Sequence, residues 1–283
     1  MSKRSEEDDG PSGLEITLFE NGDEGSNFRT QNDPSAPFQR SNIVERRGAI
    51  DIRCTSTDII HGHLKNGEGP ATLIVYEFQF DPRKKARRIA TVDIKISFTS
   101  EGDGELEVLK ISPRGRMALE CTSQQETITI GGQANAGVDV LGAELGSDWT
   151  WEKVVSRETT DATTVFGSID LPDYRNYGPP SAASWTLLEN QSLKNGVPAY
   201  LKTAVLLSRK QENEGFCGTF EIKTQVDLIS RVSRLFGRTP KDDPVRYNPT
   251  LRSKGKLVDY DMDSLDDIDL QALSRVSFTN YES

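Results

Sequence analysis

Residues 127–140, TITIGGQANAGVDV, form the segment on which the interpretation of the whole chain depends. They alternate between a face of apolar or small residues and a face of polar residues and glycine. A period of two is typical of a β-strand with one dry face and one wet face. The dry face consists of Ile128, Ile130, Gly132, Ala134, Ala136, Val138 and Val140. The sequence therefore predicts a long strand whose small central residues allow a neighbour to approach closely, or allow the strand to bend.

A second alternating segment follows the first and predicts a strand that returns beside it. Residues 143–152, AELGSDWTWE, place Ala143, Leu145, Trp149 and Trp151 at positions of one parity. A third run, residues 162–171, is rich in β-branched residues and stops at Pro172. Because β-branched residues favour strands and proline ends them, the three segments predict an antiparallel meander.

Two interpretations of this meander are open. In the first, it is a sheet packed on a core, which is the common use of such a pattern. In the second, it is a hairpin that enters a membrane, since a bilayer-spanning strand needs about 9–11 residues with this alternation. The candidate residues for contact with a membrane or a partner are Ile128, Ile130, Val138, Val140, Trp149 and Trp151.

The most basic run of the chain, RKKARR, occupies residues 83–88. Such a run can bind phosphates or anionic lipid. The alternative is a solvated loop between two strands. The candidate residues for contact with an anion or a lipid are Arg83, Lys84, Lys85, Arg87 and Arg88.

The rest of the body consists of short alternating segments separated by turn signals. Ile94, Ile96 and Phe98 alternate with polar residues, and EGDG at 101–104 predicts a hairpin that joins them to residues 105–111. Similar segments recur up to residue 227. We therefore expect an all-β domain over residues 47–240, an antiparallel β-sandwich or barrel of roughly ten strands.

One short helix and two polar tails complete the predicted architecture. Residues 227–236 place their apolar side chains on one helical stripe, and Gly237 suits the stop. Residues 1–46 have few large apolar groups and are predicted to be largely disordered. Residues 241–283 are acidic and predicted to be mostly extended, and their acidic-hydrophobic segment 259–270 is a candidate docking motif.

The net charge of −10 belongs mainly to the two tails. Residues 1–46 carry five basic and ten acidic groups and residues 241–283 carry six and nine, which leaves 23 and 25 in the body. A nearly neutral body lacks the positive face that nucleic-acid binding needs. We therefore expect a protein partner or anionic lipid, and neither DNA nor RNA.

The sequence shows no recognisable targeting signal. Residues 1–11 lack the apolar centre of a signal peptide, and no run of about 18 apolar residues marks a transmembrane helix. Cys54, Cys121 and Cys217 are odd in number and widely spaced, which is typical of reduced cysteines. The prediction is a cytoplasmic protein that is not secreted, with the nucleus as the alternative.

The sequence also shows no recognisable catalytic or metal-binding signature. His61 and His63 are the only histidines, and two ligands do not make a zinc site. No nucleophile elbow, phosphate loop or dinucleotide fingerprint is present. We therefore predict no catalytic, metal-binding or cofactor-binding residue, and a non-enzymatic role is favoured. Paired carboxylates that meet only in the fold leave an enzymatic activity open.

A set of short motifs resembles a family of uncharacterised proteins from filamentous fungi. The motifs are DATTV at 161–165, GSI at 167–169, GPP at 178–180, WTLLEN at 185–190, GVP at 196–198 and DDPV at 242–245, together with ISPRG at 111–115. The resemblance extends over the body from about Gly48 onward. It implies a fungal source and carries no activity, cofactor or active site.

Three functions follow from these observations as hypotheses. The first is a non-enzymatic binding protein that recognises its partner through loops at one end of the sandwich. The second is a membrane-perforating protein in the broad manner of gasdermin-like or aerolysin-like β-pore formers, with the C-terminal tail as a restraint. The third is a small-molecule carrier or enzyme that uses the interior of a barrel.

Overall fold

The computed structural model describes residues 29–47, 50–82, 88–133, 150–173, 176–226, 242–255 and 259–278, with the backbone alone for residues 123–133, 150–160 and 226. These residues form two antiparallel sheets of six strands each, which confirms the predicted all-β class. The strands are β1 (Asn42–Arg46), β2 (Ile50–His63), β3 (Pro70–Pro82), β4 (Ile89–Ser100), β5 (Leu106–Ser112), β6 (Gly115–Gln133), β7 (Thr150–Asp170), β8 (Ala182–Leu188), β9 (Tyr200–Arg209), β10 (Phe216–Val226), β11 (Val245–Tyr247) and β12 (Arg275–Ser277).

The two sheets have different strand orders. The first sheet runs β1-β2-β3-β9, and the far side of β9 pairs with both β5 and β12. The second sheet runs β11-β10-β4-β8-β7-β6, so β6 is its last strand. Consecutive strands therefore often lie in different sheets, and the chain crosses between the sheets several times.

The core lies between the sheets, where the inward positions of both sets of strands meet. Ile94, Ile96 and Phe98 of β4 are buried, and the residues between them are half-buried, as the alternation predicts. The largest fully buried side chains are Trp185, Tyr76, Tyr247, Phe78, Phe80, Phe98 and Phe216. One polar link crosses this core, a hydrogen bond of 2.9 Å between the hydroxyls of Tyr76 and Tyr247.

The outer face of the first sheet is also covered. The segment that covers it, residues 259–274, is called here the C-terminal strap. Its Leu265 and Leu270 are buried against apolar residues of β2, β3 and β9. Every residue of β3 from Ala71 to Tyr76 is buried for this reason, since one set of side chains faces the core and the other faces the strap.

The predicted hairpin between residues 94–98 and 105–111 is wrong. β4 pairs with β8 and β10 in the second sheet, whereas β5 pairs with β9 in the first. The turn between β4 and β5 is held by Glu214, whose Oε1 accepts hydrogen bonds from Gly104 N at 3.0 Å and Ser100 Oγ at 2.6 Å. A glycine-rich turn between two alternating strands is compatible with a connection that crosses between sheets as well as with a hairpin. The sequence pattern alone therefore does not distinguish the two connections.

The predicted three-segment meander needs a correction as well. The described end of the second segment, residues 150–152, and the third segment belong to one strand, β7, which runs from Thr150 to Asp170, and residues 143–149 lie outside the described residues. Residues 152–162 contain no glycine or proline, so nothing interrupts the strand between them. The result is a single hairpin with two very long strands.

Segments outside residues 47–240 fold together with the domain. β1 pairs with β2, β11 with β10, and β12 with β9. The predicted helix at residues 227–236 lies outside the described residues. Among those that are described, the helical elements are two short 3-10 turns, Lys65–Gly67 and Leu265–Asp267.

Candidate functional site

The hairpin singled out by the sequence extends well beyond the second sheet. β8 pairs with β7 only between Thr164 and Asp170. Past that point β6 and β7 continue as a pair, residue against residue, from Thr122↔Asp161 to Gln133↔Thr150. These twelve pairs form the outer ribbon, defined as residues 122–133 and 150–161. At 3.4 Å per residue the outer ribbon is about 40 Å long.

The two long edges of the outer ribbon have no strand partner among the described residues. β6 is the last strand of its sheet, and β7 has no neighbour on the β8 side before Thr164. Such edges present a row of backbone donors and acceptors that can pair with another strand. A two-stranded hairpin by itself is only marginally stable in water. Both edges of the outer ribbon therefore leave room for pairing with a further strand.

The register places several of the predicted contact residues at positions of one face. Ile128 is opposite Val155, Ile130 is opposite Lys153, and Gly132 is opposite Trp151. Residues directly opposite one another in antiparallel strands share a face, and alternate pairs share the same one. The intervening pairs are Thr127↔Ser156, Thr129↔Val154 and Gly131↔Glu152. The structure thus brings Ile128, Ile130 and Trp151 to one face, while Val138, Val140 and Trp149 lie outside the described residues.

The outer ribbon begins at a β-bulge. The pairing shifts by one residue between Leu119 and Thr122, so that Glu120 and Cys121 together oppose Ala162. Glu120 has a φ of 47°, a left-handed conformation that is uncommon for a residue other than glycine. A bulge bends its strand and increases the local twist. The bulge therefore marks where the hairpin leaves the sandwich.

A loop after β8, residues 189–196, packs against this bulge and is called here the root loop. Its Asn190 is completely buried, and its Nδ2 donates to the carbonyl oxygen of Glu120 at 2.8 Å. The hydroxyl of Ser192 donates to the carboxylate of Asp161. Asn190 belongs to the motif WTLLEN, but the sequence predicted no role for it at the hairpin, and the available signal was the preference of asparagine for turns.

The predicted basic run ends beside the root loop. Residues 83–87 lie outside the described residues, but Arg88 forms an ion pair with the buried Glu189, with 2.9 Å between Arg88 Nε and Glu189 Oε2. Glu189 N also donates to Ala90 O at 3.0 Å. The last residue of the basic run therefore contributes to the fold, and it lies at the end of the sandwich from which the outer ribbon projects.

The two histidines do not form a joint site. His61 is buried, with its Nε2 at 2.6 Å from Gln39 Nε2 and its Nδ1 at 3.0 Å from Thr72 Oγ1. Burial, and then the nearby Arg209, lower the pKa of His61 from 6.5 to about 4. His63 instead binds the carboxylate of Glu212 at 2.9 Å on the surface. Across the described parts of the chain, no group of three or more His, Cys, Asp or Glu side chains could hold a metal ion.

Comparisons with known proteins add little to this geometry. No protein-family model and no curated protein matches the chain. The crystal structure of the Clostridium perfringens NetB toxin in its membrane-inserted form is similar over 76% of this chain and 92% of that one, with 10% identity and a TM-score of 0.29. A structure described as a pore forming protein covers 74% and 84%, with 9% identity and a TM-score of 0.28. Similarity at this level does not establish a shared fold or a shared function. Over the residues that the structure describes, no helix is long and apolar enough to cross a bilayer.

Proposed function

We propose that this protein perforates membranes by inserting the hairpin of β6 and β7 as a β-ribbon. The observation that carries the proposal is the outer ribbon, whose twelve residue pairs extend past the last contact with β8. A bilayer-spanning β-strand needs about 9–11 residues, so each strand of the outer ribbon is long enough. A soluble binding role through loops, the first hypothesis from the sequence, stays a prediction.

The distribution of residues over the far part of the outer ribbon, residues 128–132 and their partners 151–155, suits the two environments of a membrane strand, whereas the pairs nearer the sandwich on the same face, such as Glu126↔Arg157, are polar. One face carries Ile128, Ile130 and Trp151 at successive pairs, and the other carries Thr127 and Thr129. Strands of membrane barrels alternate in this way between lipid and a polar interior. Lys153, opposite Ile130, interrupts the apolar face. A lysine is compatible with a position near the headgroups, since its long side chain can reach the interface.

Insertion requires more than one copy of the chain. A single ribbon in lipid would leave the outward backbone groups of both edges without partners, and each such group costs several kcal/mol in hydrocarbon. The edges of the outer ribbon have no strand partner among the described residues, so β6 of one copy can pair with β7 of the next. A closed ring of such pairs leaves no free edge. The proposed active state is therefore a homo-oligomeric barrel.

Anionic lipid is the proposed surface for attachment. Arg88, the last residue of the basic run, lies with the root loop at the end from which the outer ribbon projects. Basic groups near an anionic membrane gain about 1 kcal/mol each. Arg83, Lys84, Lys85 and Arg87 are the proposed lipid contacts, whereas Arg88 already pairs with Glu189.

The decisive experiment measures dye release from vesicles by the full-length chain. Full length matters because β11 and the C-terminal strap contribute Tyr247 and Leu265 to buried clusters, so that removing residues after Pro240 would disturb the fold. We expect release from vesicles that contain phosphatidylserine, with a blue shift of tryptophan fluorescence, and much less from purely zwitterionic vesicles. Absence of release from every vesicle composition would reject the proposal.

A pair of matched variants tests which face meets the lipid. Ile128→Arg with Ile130→Arg places charges on the proposed lipid face, where each costs roughly 2–4 kcal/mol at the bilayer midplane. Thr127→Arg with Thr129→Arg places the same charges on the opposite face of the same strand. We expect the first variant to lose at least about tenfold in release rate, since about 1.4 kcal/mol corresponds to a factor of ten. Equal losses in both variants would contradict the assigned faces.

A further inference from the structure

Asn190 uses both ends of its side-chain amide at the base of the outer ribbon. Its Nδ2 contacts Glu120 O at 2.8 Å, Thr122 Oγ1 at 3.1 Å and Asp161 O at 3.3 Å. These three acceptors belong to both strands of the hairpin: Glu120 lies in the bulge, and Thr122 and Asp161 form the first residue pair beyond it. The Oδ1 atom accepts hydrogen bonds from Ser192 N at 2.9 Å and Leu193 N at 3.0 Å. One fully buried side chain thus connects β6, β7 and the root loop.

The hydrogen bonds of Asn190 are made at the bulge, which is an irregular point of the hairpin. Because Glu120 and Cys121 together oppose one residue of β7, the regular ladder of hydrogen bonds is interrupted between them. The left-handed conformation of Glu120, with a φ of 47°, costs about 1–2 kcal/mol and persists only if its surroundings hold it. The amide of Asn190 binds the carbonyl oxygen of that same residue. It therefore supports the least favourable backbone position of the hairpin.

The root loop is itself fixed to the body of the second sheet. Glu189 N donates to Ala90 O at 3.0 Å, and the Glu189 carboxylate pairs with Arg88 at 2.9 Å. Val197 N donates to Ile89 O at 2.9 Å at the other end of the loop. The start of β4 therefore holds both ends of the loop that carries Asn190. A shift of β4 or of this loop would be passed directly to the bulge.

We propose that Asn190 is the positioning residue of the outer ribbon: it sets the direction in which the ribbon leaves the sandwich, and the bulge at Glu120–Cys121 is the hinge about which the ribbon swings when this bond is released. The role of the swing in membrane insertion rests on the proposed function. The positioning itself does not, because it is a property of the protein in solution. A swing of only 10° would move the end of a ribbon about 40 Å long by roughly 7 Å.

The test replaces Asn190 by aspartate, which has nearly the same shape. Aspartate keeps the acceptor for Ser192 N and Leu193 N but has no N–H to donate, and its charge faces the carbonyl oxygens of Glu120 and Asp161. The matched control is Asn195→Ala in the same loop. It removes only a surface hydrogen bond to the Glu120 carboxylate.

The readout is a distance distribution from pulsed electron paramagnetic resonance. Spin labels are placed at Gln133→Cys, the last described pair of the ribbon, and at Glu221→Cys, an exposed position of β10, in a chain whose Cys54, Cys121 and Cys217 are replaced by alanine or serine. We expect the parent and Asn195→Ala to share one narrow distribution. Asn190→Asp should shift its mean by several ångströms or broaden it. An unchanged distribution in Asn190→Asp would overturn the proposal.

Two further measurements keep the test decisive. Thr122→Val removes one partner of Asn190 without adding a charge, so it should shift the distribution in the same direction by less, even if Asn190→Asp fails to fold. Parent-like distances in Thr122→Val combined with an unfolded Asn190→Asp would assign Asn190 a purely structural role and overturn the proposal. In the vesicle assay we expect Asn190→Asp to change the release rate at unchanged vesicle binding. Shifted distances without release from any variant would reject the proposed function and retain the positioning role.

Discussion

The two halves of the same hairpin lie in opposite environments. The inner half consists of residues 115–119 of β6 and 163–170 of β7. Its β7 strand pairs with β8, and the half packs Met117, Leu119, Val165 and Ile169 against the core. The outer ribbon consists of the same two strands beyond the bulge, with no third strand among the described residues. Both halves are regular antiparallel β-structure. Their difference shows that secondary structure by itself does not reveal whether a strand is held by a core.

The two halves also differ in their roles: the inner half contributes to the stability of the fold, and the outer ribbon carries the proposed function. The free energy of folding comes mainly from buried apolar surface, and the inner half supplies it through residues such as Val165, which is fully buried. We expect that the outer ribbon can be altered at little cost to this core, because among the described residues it pairs with no third strand. Under the proposed function, the outer ribbon takes up a second structure, in which its apolar positions and open edges find partners.

Hydrogen exchange should show the largest contrast. We expect backbone amides of the inner half to exchange only through global unfolding and those of the outer ribbon through local opening, because among the described residues no third strand pairs with the latter. For a domain of ordinary stability the exchange rates should differ by at least about a thousandfold. The measurement is exchange followed by mass spectrometry of peptides from both halves. Equal protection in the two halves would show that the outer ribbon is part of the cooperative core.

A matched pair of substitutions on β7 should show the next largest contrast. Val165→Asp places a charge in the core, where no partner is available, and should cost more than about 4 kcal/mol of unfolding free energy. Val155→Asp makes the same change ten residues away on the same strand, and we expect a cost below about 0.5 kcal/mol in solution. In the vesicle assay Val155→Asp should nevertheless abolish release. Urea denaturation of both variants provides the comparison.

The fold class followed from the sequence because alternation reports burial directly. Ile94, Ile96 and Phe98 are buried as their spacing predicts. The partner of each strand did not follow, and the hairpin expected between β4 and β5 is instead a crossing between sheets. Pairing depends on contacts between distant segments, such as Glu214 in the turn after β4, and no local pattern contains that information. The continuous strand β7 could have been predicted, since residues 152–162 contain no glycine or proline.

For the hairpin, the sequence indicated which residues of one strand share a face but not how far the two strands extend beyond the sheet. Ile128, Ile130 and Trp151 share one face, as the alternation suggests, because β6 and β7 pair in the register that places Gly132 opposite Trp151. The length of the ribbon beyond the sheet could not be predicted, since it depends on where β8 stops. Asn190 was missed for the same reason: an asparagine after a strand is a common turn residue, and only the fold brings it to the bulge.

The C-terminal strap is a second segment outside the core. It shows whether such a position is enough for a segment to be altered without loss of stability. Like the outer ribbon, the strap lies outside the two-sheet core, but its Leu265 is fully buried against the first sheet. We therefore expect Leu265→Ala to cost roughly 3 kcal/mol, unlike any truncation in the outer ribbon. Met262, an exposed residue of the same strap, is the matched control, and Met262→Ala should leave the stability unchanged. Thermal unfolding checks both, and equal effects would show that burial does not distinguish the strap from the ribbon.

Acid should weaken the sandwich without affecting the outer ribbon. Burial and Arg209 lower the pKa of His61 to about 4 in the folded protein, whereas its pKa in the unfolded chain is near 6.5. Between pH 4 and pH 6.5 the unfolded chain therefore binds a proton at His61 more readily than the folded protein does. The contribution of His61 to stability is therefore complete above pH 6.5 and decreases as the pH falls towards 4. At pH 5 we expect a loss of roughly 2 kcal/mol relative to pH 7.

This loss is measured by urea denaturation at the two pH values, with the fluorescence of the buried Trp185 as the probe and with Trp149 and Trp151 replaced by phenylalanine. The variant His61→Gln removes the titrating group, so the difference between pH 7 and pH 5 should become much smaller. Local opening of the outer ribbon, corrected for the intrinsic effect of pH on exchange, should be the same at both values, because His61 lies on β2 of the other sheet. If acid changed the opening of the ribbon in parallel with the stability of the sandwich, the two regions would be one cooperative unit, and the separation inferred from the bulge would be wrong.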